Sequence, residues 1–95
     1  MRLIISDEAE NGFDRIGAWI ARDNPRRAAS YVAELRKVCE ALLTFPNRFP
    51  WADESLGVRK RTYGDYLILY KVGDDDDIVT VIAVEHAARD LSRLL

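Results

Sequence analysis

The sequence predicts an α+β fold in which a helical hairpin packs on a small antiparallel sheet, in the order β-α-α-β-β-β. Three observations carry this. Apolar residues recur at helical spacing between Ala9 and Leu42, most regularly at Ala28, Val32, Leu35, Cys39 and Leu42, separated by four, three, four and three. From Val58 onward come three β-branched and aromatic runs, broken by Gly64-Asp65 and by Gly73 with four aspartates. Between the two helical stretches stands only Asp23-Asn24-Pro25, which leaves room for a tight antiparallel turn.

Each element has its own warrant. Residues 2–6 (RLIIS) are apolar and β-branched, a short strand free to join the sheet. Asp7 and Glu8 favour a helix N-terminus through the macrodipole, and Ala9, Phe13, Ile16 and Ile20 follow on one stripe. Gly12 and Gly17 each weaken that helix by about 1 kcal/mol relative to Ala, unless they permit close packing. Asn24 can cap the second helix, and Pro25 suits its first position because the missing N–H had no partner there. Cys39 lies on the apolar stripe and reads as a small core hydrophobe. The stretch TFPNRFPWADESLG has two prolines and no period; it reads as a loop that packs through Phe45, Phe49 and Trp51. Strands are expected at Val58–Tyr63, Tyr66–Val72 and 78–85, joined by connections short enough for an antiparallel meander. Leu91, Leu94 and Leu95, at i, i+3 and i+4, suggest a short C-terminal helix or tail that docks on the sheet.

Bulk properties narrow the class. Ninety-five residues, 48% hydrophobic and 32% charged, fit one soluble domain spanning 1–95. No segment approaches the ~20 apolar residues of a bilayer span, and the N-terminal run meets acids too soon for a secretory signal. The single cysteine excludes an internal disulfide and fits a reducing, cytoplasmic setting. Net charge is −2, but four of the 16 acids are consecutive, Asp74 to Asp77, leaving 14 bases against 12 acids elsewhere. Calcium loops alternate their carboxylates, so this run reads as a solvated turn rather than a metal site.

Two features bear on function. In VRKRTY, Arg59, Arg61 and Tyr63 share one strand face and Val58, Lys60 and Thr62 the other. Such charges protect an edge strand, or form a cationic patch with Trp51 nearby, suited to phosphate or to an acidic partner. The following strands are apolar on both faces, yet one helical hairpin covers only one. The second is therefore left for the loop, the tail or a partner, and self-association of the isolated protein is expected. His86, the sole histidine, follows Glu85. Strand alternation sends the two to opposite faces, and the tail reads as a structural seam.

With the elements in place, the chain resembles toxins of the RelE/ParE superfamily from bacterial type II toxin–antitoxin systems. The resemblance is carried by IARDNPRRAASYVAELRKVCEALLTFP, GVRKRTYGDYLILYKV and VIAVEHAARDL, in this order and nearly over the whole length. DNPRRA and HAARDL look ParE-like. The loop departs from the usual pattern, since Pro46 leads into Asn47-Arg48-Phe49-Pro50. The resemblance implies a cytoplasmic poison of DNA gyrase with no catalysis and no cofactor. It also implies neutralisation by a ParD-like antitoxin in a hetero-oligomer, with no sequence-specific nucleic-acid binding by the toxin itself. Antitoxin contacts are expected at Phe13, Ile16, Ile20, Tyr31, Tyr66, Ile68 and Tyr70, and target contacts at Trp51, Arg59, Lys60, Arg61 and Arg89. The alternative is a RelE-like, ribosome-dependent mRNA endonuclease, for which His86, Arg59, Arg61 and Arg89 would supply the acid–base group and the cations.

Overall fold

The computed structural model describes residues 2–74 and 77–88. β1 (Arg2–Ile5) passes through Ser6 into α1 (Asp7–Ala21), and α2 (Pro25–Ala41) completes the hairpin. The Ser6 hydroxyl accepts from the Ala9 N–H at 3.1 Å and donates to the Ile82 carbonyl at 3.0 Å. One side chain thus caps α1 and ties it to the sheet. Asn24 caps α2 as expected, its Oδ1 accepting from the Arg27 N–H at 3.0 Å, with Pro25 in the first turn.

A 3-10 turn (Pro46–Arg48) then leads to β2 (Trp51–Asp53), β3 (Val58–Tyr63), β4 (Tyr66–Val72) and β5 (Ile78–His86). Among the described residues these strands form one sheet, ordered β1-β5-β4-β3-β2. The fold class is the expected α+β arrangement, with the β3–β4–β5 meander antiparallel throughout. Two details differ. β1 joins parallel to β5, so the sheet is mixed; hairpin connections dictate antiparallel pairing, but β1 reaches β5 by no hairpin and is free of that constraint. The loop also contributes β2, paired antiparallel with β3 through Trp51 and Asp53. Three residues are too few to show a period.

The hairpin covers one face of the sheet. Ala9, Phe13, Ile16, Leu35, Cys39 and Leu42 pack against Tyr66, Ile68, Tyr70, Val79, Val81 and Val84. Full burial of each large apolar side chain is worth about 1.5–3 kcal/mol, so this layer dominates the stability. Tyr70 keeps its hydroxyl satisfied inside the core by donating to the Pro46 carbonyl at 2.6 Å, which pins the 3-10 turn to the sheet. The opposite face carries a smaller cluster of Val58, Leu67, Leu69 and Ala83, with Ala52 of β2 and Ile82 packed against it. Those four are buried, and of the covers expected for this face the loop supplies part through β2.

β1 ends at Ile5, beside Val81. Beyond that point α1 takes its place along the free edge of β5. The approach is close enough that a Cβ on Gly12 would lie 2.5 Å from the Val84 carbonyl oxygen. Gly12 is thus a packing glycine; Gly17, where a Cβ would sit 3.4 Å from Val32, has ordinary room.

Candidate functional site

Two surface regions gather polar and aromatic groups. The first is a groove of about 380 Å³ over the end of β5, lined by Arg15, Ile16, Trp19, Tyr66, Glu85, His86 and Ala88. It exists because β1 stops early and α1 crosses the strand edge. Trp19 stands at the groove with 62% of its surface exposed, and Arg22 stacks over its ring at 4.9 Å. Glu85 is buried; its Oε1 accepts from the His86 N–H at 3.3 Å and its Oε2 lies 3.7 Å from Arg15 Nη2. His86 packs edge-on against Tyr66 at 5.4 Å, and its Nδ1 accepts from the Ala88 N–H at 3.2 Å. Glu85, opposite Leu67, and His86, opposite Tyr66, point to opposite faces of β5 as expected, yet both line this groove. β4 flanks this end of β5 on one side, but β1 stops beside Val81 on the other, and across that open edge a single groove reaches side chains from both faces.

Tyr66 continues a row of rings away from the groove. It meets Tyr31 at 5.6 Å, and Tyr31 meets Tyr63 at 5.9 Å. Burial raises the Tyr31 phenol above its ordinary pKa, and the neighbouring Tyr66, Tyr63 and Asp65 add to that. Gly64, with φ of 57°, has no room for a Cβ because the Tyr31 hydroxyl lies 2.5 Å from that position. Tyr63 donates to Glu34 Oε1 at 3.0 Å, and Glu34 is itself paired with Arg27.

The second region lies where the loop meets β3. Trp51 and Arg59 are cross-strand partners, and the Arg59 guanidinium stacks 3.8 Å above the indole. Its Nη1 donates to the Phe49 carbonyl at 2.6 Å. Arg48 and Arg61 both stack on the Phe49 ring, each at 4.7 Å. The three guanidiniums lie near enough to Tyr70 that their charges oppose the burial that raises its phenol pKa. Phe45, expected to pack, instead exposes 71% of its surface from a left-handed backbone at φ 53°, a conformation disfavoured for a bulky side chain.

These positions sort the predicted residues. Phe13, Ile16, Tyr66, Ile68 and Tyr70 belong to the chain's own helix–sheet core, so they present little or no surface to an antitoxin; Ile16 and Tyr66 reach the groove by one edge. The apolar stripe that marks a partner face in sequence is the same stripe that closes the monomer. Ile20 and Tyr31 are only partly buried. Trp19 was missed, because a lone exposed aromatic off the helical stripe gives no periodic signal. Arg59, Arg61 and Trp51 come together; Lys60 lies on the opposite strand face. His86 is separated from them, since it pairs with Tyr66 on β4, whose partner on β3 is Tyr63. That places it two strands, roughly 10 Å, from β3, and farther still from Arg59. Arg89 and the leucine tail lie outside the described residues, as do Asp75 and Asp76; Asp74 and Asp77 are exposed at the β4–β5 turn.

The family model for the ParE toxin of type II toxin–antitoxin systems, parDE, matches residues 3–91. This chain belongs to the ParE toxin family. Solved structures agree on its fold. A chain of the chromosomal ParDE system from P. aeruginosa superimposes with a TM-score of 0.79 at 18% identity, over 90% of this chain and 95% of that one. A chain of the toxin–antitoxin complex RelBE2 from Mycobacterium tuberculosis gives 0.57 at 20% identity, with the same coverage. No curated protein matches. The ParE-family chain is thus a type II toxin, and its α+β fold is that of both solved structures. No helix among its described residues is long and apolar enough to cross a membrane.

Proposed function

We propose that this ParE-family toxin acts in the cytoplasm as a non-catalytic inhibitor of DNA gyrase, and that a ParD-type antitoxin neutralises it by direct binding. The observation that supports a binding mode over RNA cleavage is the scatter of the cleavage set. RNA cleavage through the 2′-hydroxyl needs a base, an acid and cations around one phosphate. His86 lines the α1–β5 groove, whereas Arg59 and Arg61 stack on rings over β3, two strands away. The antitoxin reading draws on Trp19, exposed beside the partly buried Ile20 and a groove of mixed polarity, the sort of anchor that dominates protein interfaces. Trp51, Arg59 and Arg61 are the proposed contacts with the target.

A supercoiling assay with purified gyrase tests the target. The toxin is expected to block supercoiling, and Arg59→Gln to weaken the block. Unchanged topoisomer ladders at excess folded toxin would overturn the gyrase reading. Cuts in translated message by primer extension, lost in His86→Ala, would replace it with the endonuclease reading. For the antitoxin, Trp19→Ala is expected to weaken capture by the cognate partner by about 2 kcal/mol, read by titration calorimetry.

A further inference from the structure

Arginines in this protein are used in two ways. Arg15, Arg27 and Arg36 each pair with a glutamate. Arg27 and Arg36 also stack, on Tyr31 and Phe13, beside their carboxylates; Arg48, Arg59 and Arg61 stack on Phe49 and Trp51 and take part in no ion pair among the described residues. Stacking occupies the flat face of a guanidinium and leaves its N–H edges in plane, the geometry that grips a phosphate or carboxylate in two-pronged fashion. The Arg61 Nε is buried with no hydrogen-bond partner. Three cations without counter-charges, held on aromatic rings on one side of the sheet, make a preformed anion site.

We infer that this patch binds the phosphodiester backbone of unpaired nucleic acid. The aromatic component selects this ligand over an acidic peptide. Trp51 keeps 40% of its surface exposed beside Arg59, and a ring next to a stacked arginine is what single-stranded nucleic-acid sites use to hold a base while the cation holds its phosphate. The acidic turn does not cancel the patch: β4 runs on from Tyr70, the partner of Arg59, to Val72 before Asp74. That separation, roughly 10 Å, exceeds the ~8 Å screening length at physiological salt. The inference goes beyond the gyrase reading and does not need it, because the ligand is the nucleotide chain itself.

The test is fluorescence anisotropy of the purified full chain with labelled single-stranded DNA and RNA oligomers, without gyrase. Three phosphate contacts predict a log K against log salt slope of about −2 (roughly 0.7 per contact for single strands). Trp51→Ala should weaken binding about tenfold, and Arg59→Gln should flatten the slope by about 0.7. Arg59→Lys should keep the slope yet bind more weakly, and Arg27→Gln should change nothing. A preference for RNA or DNA decides the source of the strand and supports the site either way. No binding at low salt by protein with intact circular dichroism would overturn the inference. So would equal binding by Trp51→Ala and Arg59→Gln, or tighter binding of a glutamate-rich peptide. A supercoiling block in the absence of oligomer binding would leave the gyrase reading standing while this one fell.

Discussion

The α1–β5 groove and the loop–β3 patch each set arginines beside aromatic rings, but they hold charge differently. In the groove Arg15 reaches Glu8 at 3.0 Å and the buried Glu85 at 3.7 Å, so its charge is answered within the chain. In the patch Arg48, Arg59 and Arg61 are answered by the faces of Phe49 and Trp51. Stacked cations are positioned without being neutralised, because a ring quadrupole attracts charge but does not cancel it. The groove is an opening of mixed polarity in which Arg15 is paired with carboxylates of the chain; the patch is a cationic surface whose charges are stacked but not paired. One molecule therefore offers two surfaces of contrasting chemistry, on the helix-bordered end of β5 and on the loop side of β3.

The sharpest way to break this contrast is to remove the packing that creates the groove. Gly12→Val would drive a side chain into the Val84 carbonyl, only 2.5 Å from the first added carbon. It should cost about 3 kcal/mol, read as a lower urea midpoint. A loss below about 1 kcal/mol would mean that α1 can step away from β5 freely and that the groove is not fixed. Next in size, Tyr70→Phe removes the bond to Pro46 that seats the loop behind the patch. A loss of about 1.5 kcal/mol is expected, with faster proteolysis in residues 44–57 and a groove unchanged in tryptophan fluorescence from Trp19.

Cys39 sharpens the comparison chemically. It feels one arginine of each kind, Arg36 and Arg61, yet burial outweighs both and pushes its thiol from 9.0 up to about 12. Because the folded form holds its proton more tightly than the unfolded one, the stabilising contribution is complete below about pH 9 and is lost as pH rises towards 12. Native protein should react with a thiol reagent at pH 8 only as fast as it opens, and rapid stoichiometric labelling would contradict the packing described. The smallest effect is expected where the arginines are exchanged for neutral residues: Arg15→Gln and Arg59→Gln should each shift stability by no more than about 1 kcal/mol. A much larger loss for Arg59→Gln would show that the patch is a structural brace.

Much of this architecture was readable before any coordinates. The helical stripes, the Asn24 cap and the bounds of β3 and β4 follow from periodicity and turn chemistry, which act locally. What was hidden depends on contacts distant in sequence. β2 is too short to show a pattern, and it pairs through a backbone that any side chain could occupy. The parallel seat of β1 is set by β5, more than 70 residues away. The residues Phe13, Ile68 and Tyr70 read as an apolar face for a partner, yet the chain's own hairpin and sheet cover them, since hydropathy does not say which neighbour does the covering. Trp19 and the stacking of Arg59 on Trp51 needed register and exposure, neither of which a single strand pattern supplies.

The seat of β1 has a consequence for the order of folding. Among the described residues Arg2 to Ile5 pair with Ile78 to Val81 alone, so β1 has no seat until β5 is in place. Such a long loop closure is slow and comes late. Until β5 is in place, α1 has neither the strand edge it clamps nor the Ile82 carbonyl that Ser6 holds. The helical layer and the outer strand are thereby locked in a single step, when β5 closes the sheet.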